Sequence, residues 1–266
     1  MMDGSGKPAL AGRQRVLTSD TIRTLHHRVS VRKYTPEPVT EATVEAILQA
    51  AFRAPTSSNI QSYSVVVVRD ADIKKRLSAV TGNQRHVVET DVFLGFCADL
   101  TRIDHAIRAK GHVFAENNLE LGVVSTIDAA LVGMSAYLAA ESLGLGGVMI
   151  GAIRNDATET AGILELPHHV YCVFGLCLGW PAESPQQKPR MDYAQLVHYE
   201  RYGNLRDSRS MVEGIAAYDA VLAAHYASTG KVTTPDSWTH ETGSKMGQHP
   251  RERLRAELKE RGFHFR

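Results

Sequence analysis

Arg28-Val29-Ser30-Val31-Arg32 is the stretch from which the rest of the chain is best read. In an extended backbone, side chains alternate faces, so Arg28, Ser30 and Arg32 share one side and Val29 and Val31 the other. The result is a cationic, hydroxyl-bearing rim backed by an apolar anchor, which suits a phosphorylated ligand. Taken alone, so short a basic run is more often a solvated edge. A second cationic pair, Lys188 and Arg190, flanks Pro189, and the fixed proline φ can hold both toward one anion.

Two further polar stations lie between these. Ala54-Pro55-Thr56-Ser57-Ser58-Asn59-Ile60-Gln61 clusters hydroxyls and amides between the end of one element and the start of another, where loops often carry function. Asn83, Gln84 and His86 form a third polar loop ahead of an apolar run. Four such stations fit a large phosphorylated cofactor with a polar ring edge.

The 266 residues can bury a substantial core as one large domain or two small ones. Hydrophobic content of 43% and charged content of 22% are ordinary for a globular protein. Lys+Arg 30 against Asp+Glu 29 leaves +1, so charge gives no case for nucleic acid or an anionic membrane as partner. Cys97, Cys172 and Cys177 lie in apolar runs and read as reduced core thiols, pointing to a cytoplasmic protein. The Gly-rich residues 1–17 lack the apolar stretch of a secretory signal and are expected to form a flexible tail. The longest low-polarity stretch, 129–140, is interrupted by Gly133 and Ser135 and is too short to span a membrane.

Val44, Ile47, Leu48 and Ala51 follow helical spacing, with Thr40 as N-cap and Pro55 closing the segment. Residues 65–68, 92–97, 148–153 and 170–178 read as strands. Residues 71–80 read as a helix followed by a turn at Gly82-Asn83. A long helix is expected over 121–143, stopped by Gly144. Its Ala129, Ala130, Gly133, Ser135, Ala136, Ala139 and Ala140 are small nearly all round, which is compatible with burial inside one domain or against a second subunit. A helix capped by Asn155 separates the last two strands. Beyond Trp180 the prolines 181, 185 and 189 break regular structure, and short helices with polar linkers are expected.

Several familiar motifs fail on context. Gly144-Leu145-Gly146-Gly147 follows a helix and precedes a strand, the reverse of a dinucleotide-binding turn. His26-His27 and His168-His169 are adjacent, a spacing that does not aim both rings at one metal, and the cysteines lack zinc-site partners. No nucleophile elbow or P-loop occurs.

Taken in order, Arg28-x-Ser30-x-Arg32 and Ala54-Pro55-Thr56-Ser57-Ser58-Asn59-x-Gln61 resemble the N-terminal signature of the nitroreductase superfamily of flavin enzymes. The chain also resembles one branch of it, the oxygen-insensitive NADPH nitroreductases and flavin reductases. Those resemblances lie in Ala140-Glu141-Ser142-Leu143-Gly144-Leu145-Gly146-Gly147, Ile150-Gly151, Arg154-Asn155, Phe174-Gly175-Leu176-Cys177-Leu178-Gly179-Trp180-Pro181 and Lys188-Pro189-Arg190. The resemblance is strong over residues 20–200 and weaker beyond.

The resemblance implies an α+β fold, with a central mixed sheet flanked by helices, in an obligate homodimer that holds FMN at the subunit interface. It implies an FMN-binding core over 18–200 and a C-terminal helical excursion over 201–266. Arg28, Ser30, Lys188 and Arg190 would hold the phosphate, with Val29 beside them. Arg32 and Gln84 would serve the ribityl and pyrimidine end. Thr56, Ser57, Ser58 and Asn59 would come from the other subunit. Met149, Ile150 and Gly151 would face the isoalloxazine, with the Gly151 N–H near N5. A cation beside the pyrimidine edge stabilises reduced flavin, and glycine allows close backbone approach.

The implied activity is ping-pong hydride transfer from NAD(P)H to nitroaromatic, quinone or free-flavin acceptors, with no catalytic side chain. A reductive dehalogenase, a flavin-modifying enzyme or a non-catalytic flavin binder are the alternatives. Two departures stand out. Arg28-Val29 replaces the His-Arg pair that precedes the serine in this branch. Thr229 and Thr234 fall where the branch tends to carry arginines for the NADPH 2′-phosphate, leaving Lys231 and Arg251 as the candidate NAD(P)H-binding cations.

Overall fold

The computed structural model describes residues 17–114, 119–247 and 251–265, so almost all of the expected tail at 1–17 lies outside the described residues. The N-terminal half runs α1 (Asp20–His27), α2 (Glu41–Ala51), β1 (Tyr63–Val68), α3 (Ala71–Val80), α4 (Arg85–Glu89), β2 (Val92–Asp99) and α5 (Thr101–Ala109). Then come α6 (Leu119–Ser142), β3 (Gly146–Ile150), α7 (Ala157–Ile163) and β4 (Val170–Gly179). The chain ends in α8 (Tyr193–Leu196), α9 (Met211–Ser228), α10 (Ser237–Met246) and α11 (Leu254–Glu260).

The strands form one sheet in the order β1-β2-β4-β3, every named pair antiparallel. The mixed character expected from the sequence therefore reduces to one isolated parallel bridge, Ser30 to Gly147, which lays the 28–32 segment along β3. β2 is buried along its whole length and β4 at every position but half-buried Phe174, which is why they read as continuous apolar runs. Leu94 and Phe96 join Leu176 and Leu178 under α6 and α2. Phe93, Cys97 and Cys177 face the other way, toward Leu77, Val87 and Ile153. Helices thus cover both faces. The ladder slips where Phe96 opposes Phe174 but Cys97 opposes Cys172, leaving Val173 unpaired. Its carbonyl accepts from the Arg154 guanidinium instead, so the bulge leaves no orphaned oxygen.

α6 explains its own composition. Ala129, Val132, Ala136 and Ala140 are buried within the one chain, and a Cβ at Gly133 would collide with the Phe174 ring. Val123, Ile127 and Leu131 are 39–50% exposed on the opposite side. By length and composition α6 could cross a membrane, which the count over 129–140 had not foreseen, but half of its most apolar window is buried in the fold.

Local chemistry sets the element ends. The Thr40 side chain accepts from Thr43 N at 3.1 Å to start α2, and Gly144 ends the α6 turn at φ 89°. The cap of α7 is Asp156 rather than Asn155, because the Asp156 carboxylate reaches Glu159 N at 2.8 Å. The Asn155 amide is held by Val80 O and Arg251. α9 is an 18-residue helix, longer than the prolines nearby suggested, and the Ser210–Glu213 capping box starts it. Buried Asp219 on α9 accepts from Trp238 N, Thr239 N and Thr239 Oγ1 and so fixes α10. Buried Glu257 on α11 accepts from Ala157 N at 2.8 Å and ties the C-terminal arm to α7.

A Cβ at Gly147 would run into the Cys177 carbonyl oxygen and stand 2.9 Å from Leu178 Cδ2. Gly147→Ala should therefore cost roughly 1–3 kcal/mol, read as a lower urea midpoint with an unchanged slope. A midpoint equal to the wild type would show that β3 and β4 can separate freely at this point.

Candidate functional site

The 28–32 segment is fastened from three sides. Val31 N donates to Gly147 O at 2.9 Å, and buried Val31 lies over Gly146, where a Cβ would stand 2.7 Å from Val31 Cγ2. Glu183 Oε1 accepts from Arg32 N at 2.7 Å and Lys33 N at 3.2 Å. From α6 the Tyr137 hydroxyl is shared between Val29 O at 2.9 Å and Gly147 O at 2.6 Å, and it accepts from Arg28 Nη1 at 3.3 Å. Burial, with Glu141 nearby, pushes that phenol up to about 12. The segment borders two clefts, and Ser30 and Arg32 line neither of them. Val29 and Val31 line one cleft with Glu141 and Glu183, while Arg28 lines another with Lys188 and Arg190.

That second cleft has a volume of about 540 Å³. Its lining side chains include His26, Gln187 and His225 beside the three cations, and none is acidic. Gln187 Nε2 donates to His26 O at 2.6 Å and Arg28 O at 3.1 Å, which closes the 187–190 segment onto the rim. Arg190 Nη1 donates to the Lys188 and Pro189 carbonyls, both at 3.2 Å. Three convergent cations without a lining carboxylate fit a phosphate group.

The remaining expected residues do not line this cleft. Ser30 sits at the bridge to Gly147. Arg32 is exposed and lies close enough to His86 to lower that imidazole's affinity for a proton, second to the effect of burial. Gln84 stands at the N-terminus of α4, its carbonyl held by Ser78 Oγ at 3.1 Å. Met149 and Ile150 end β3, and Gly151 opens a 3₁₀ turn over Gly151–Asn155.

Thr56, Ser57, Ser58 and Asn59 do not line the cationic cleft. Ser57–Asn59 form a 3₁₀ turn in which Ser58 and Asn59 take φ of 48° and 57°. Such left-handed backbone costs of order 1 kcal/mol per residue and marks an over-determined loop. Its anchor is buried Asp128 of α6, which accepts from Ser57 N at 3.1 Å, Ser62 N at 3.1 Å and Ser62 Oγ at 2.8 Å.

The structure does not bring Lys231 and Arg251 together. Lys231 pairs with Glu241 Oε1 at 2.5 Å and lies 3.7 Å from the Tyr226 ring centre. Arg251 donates to Asn155 Oδ1 at 3.1 Å and Gly151 O at 3.4 Å, at the end of β3. Sequence reading missed Tyr137, Asp128, Glu183 and Tyr226. Tyr137 did leave a signal, as a polar-tipped ring among the small residues of a buried helix.

An α+β fold thus carries a cleft whose cations and lack of a lining carboxylate suit a phosphorylated group. The profile of the Nitroreductase family matches residues 25–180, and that of the Nitroreductase family C-terminal domain matches residues 188–266. The chain belongs to the nitroreductase family. It is 41% identical over 221 residues to the oxygen-insensitive NADPH nitroreductase of Salmonella typhimurium, covering 83% of this chain and 88% of that protein. It is 35% identical to the FMN reductase (NADPH) of Bacillus subtilis over 92% of this chain and 98% of that one. The solved NfrA1 of B. megaterium superposes with a TM-score of 0.87 at 33% identity, covering 92% of this chain and all (100%) of that one. The NADPH:FMN oxidoreductase of Vibrio harveyi complexed with NAD+ gives a TM-score of 0.83 at 32% identity, covering 93% and 100%.

Glu141 shares the Tyr137–Arg28 corner, and burial pushes its carboxyl up to about 7 although Arg28 and the Tyr137 hydroxyl pull it down. Between its ordinary value of 4.5 and about 7, the folded state then binds more protons than the unfolded chain. Its contribution to stability is therefore lost as pH rises through that window. Glu141→Gln should stabilise the protein more at pH 8 than at pH 5, read from melting temperatures. An equal shift at both pH values would rule out a raised carboxyl.

Proposed function

We propose that this protein is an FMN-dependent oxidoreductase that passes reducing equivalents from NAD(P)H to nitroaromatic, quinone or free-flavin acceptors. The observation that carries the reading is that Arg28, Lys188 and Arg190 line one cleft whose lining includes no carboxylate, in a chain of this family. Arg28, Lys188 and Arg190 hold the FMN phosphate with Ser30 beside them, and Arg32 and Gln84 serve the pyrimidine end. Bound FMN would supply the hydride-transfer chemistry that links NAD(P)H to the acceptor. The chain's own residues bind and orient, and solvent supplies protons.

Gly151 gives the backbone room at the end of β3, with its carbonyl tethered by Arg251. The protein acts as a homodimer, in which the Val123, Ile127 and Leu131 stripe of α6 is covered and Thr56–Asn59 reach the partner's flavin. Coenzyme preference is weak. The Thr229 hydroxyl is turned back on the His225 and Tyr226 carbonyls, and Lys231 is committed to Glu241. Neither offers a bidentate grip on a 2′-phosphate.

The purified protein should be yellow and release FMN on denaturation. On anaerobic mixing, both NADPH and NADH should bleach the flavin, with rate constants per molar nucleotide within about tenfold of each other, less than one ideal charge-assisted contact would separate them. Colourless protein that cannot be reconstituted with FMN would sink the reading. A several-hundredfold advantage for NADPH would show that another cation holds the extra phosphate.

A further inference from the structure

We propose that Tyr226 is a positioning residue that points Lys188 into the cationic cleft and keeps it apart from the Glu241 carboxylate. The inference rests on the phosphate reading above. Tyr226 is 3% exposed on α9. Its hydroxyl accepts from Lys188 Nζ at 2.9 Å and donates to Glu241 Oε2 at 3.4 Å. The single hydroxyl proton is thereby assigned to the glutamate, which leaves the oxygen lone pairs for the lysine. Glu241 is itself held ionised, its carboxyl lowered chiefly by the hydrogen bond from Lys231 and also by Lys245 and Lys188. Lys245 Nζ stands 3.5 Å from Glu241 Oε2.

The geometry matters because an ammonium has three donors and one positive charge. Bonded to a neutral hydroxyl, Lys188 keeps two donors and its full charge for an incoming anion. Bonded directly to Glu241 it would be neutralised, and a phosphate would have to displace a carboxylate to reach it. The ring also contributes, since Lys188 lies 4.9 Å from its centre and Lys231 3.7 Å. α9 touches the chain on both sides of Lys188, at the Pro189 carbonyl and at the Gln186 side chain. Tyr218 OH donates to Pro189 O at 3.1 Å and Ser228 Oγ to Gln186 Oε1 at 3.2 Å. The C-terminal arm therefore sets where the cation sits as well as enclosing it.

The test compares FMN with riboflavin, which lacks only the phosphate, by fluorescence titration of apoprotein prepared from the holoenzyme. Wild type should prefer FMN. Tyr226→Phe, nearly isosteric in its buried site, should weaken FMN by about tenfold, the effect of one hydrogen bond to a charged group, and leave riboflavin unchanged. Tyr226→Phe combined with Glu241→Gln should recover most of that loss, because no carboxylate remains to capture Lys188. Adding Tyr226→Phe to Lys188→Met should cost nothing further. A Tyr226→Phe protein whose FMN-to-riboflavin ratio equals the wild type's, through no loss or equal loss for both, would overturn the inference while leaving the phosphate reading intact. A wild type that binds both flavins equally would overturn the phosphate reading, and this inference with it.

Discussion

The Gly147 carbonyl oxygen is the point on which the site depends. It accepts Val31 N at 2.9 Å and the Tyr137 hydroxyl at 2.6 Å, so β3, the 28–32 segment and α6 meet on one atom. Both lone pairs are used, and the one Tyr137 hydroxyl proton is shared with Val29 O on the segment's own backbone. Only a glycine allows this, because a Cβ at 147 would strike the neighbouring strand. Arg28 inherits its position from the junction, through its own contact with Tyr137 and its cation–π placement 5.5 Å from that ring.

Charge is then arranged by distance. Three of the anionic side chains near the site are used up on a backbone or on a cation outside the cleft, while Glu141 stays beside Arg28 with its carboxyl raised by burial. Glu183 caps the Arg32 and Lys33 amides, Asp128 holds the 57–62 turn, and Glu241 is taken by Lys231. What remains is a concave surface where Arg28, Lys188 and Arg190 face one volume. An electron-carrying cofactor needs such a surface more than it needs a proton donor, and the described site contains no acid–base pair comparable to a hydrolase's.

Much of this was legible in the sequence where physics is local. The β-branched run at 65–68, the Thr40 cap and the Gly144 stop each depend on neighbours a few residues away, and each appears in the fold. Contacts between distant residues were not legible. The Tyr137 hydroxyl's bond to Val29 O spans 108 positions, and Lys188 to Tyr226 spans 38. The bulge at Val173 was hidden because its compensation comes from Arg154. Asn155 and Asp156 have similar capping strength, and tertiary demand from Val80 and Arg251 decided between them. The pairing of Lys231 with Glu241 changed its meaning from a free cation to part of a support.

The most direct measurement is amide hydrogen exchange by mass spectrometry on wild type and Tyr137→Phe. If the junction carries the site, loss of one hydroxyl should raise exchange in the peptide covering residues 28–34 and in β3, with α9 and β1 unchanged. Unchanged protection at 28–34 would contradict the account, since the segment would then be held in place without the interaction assigned to hold it.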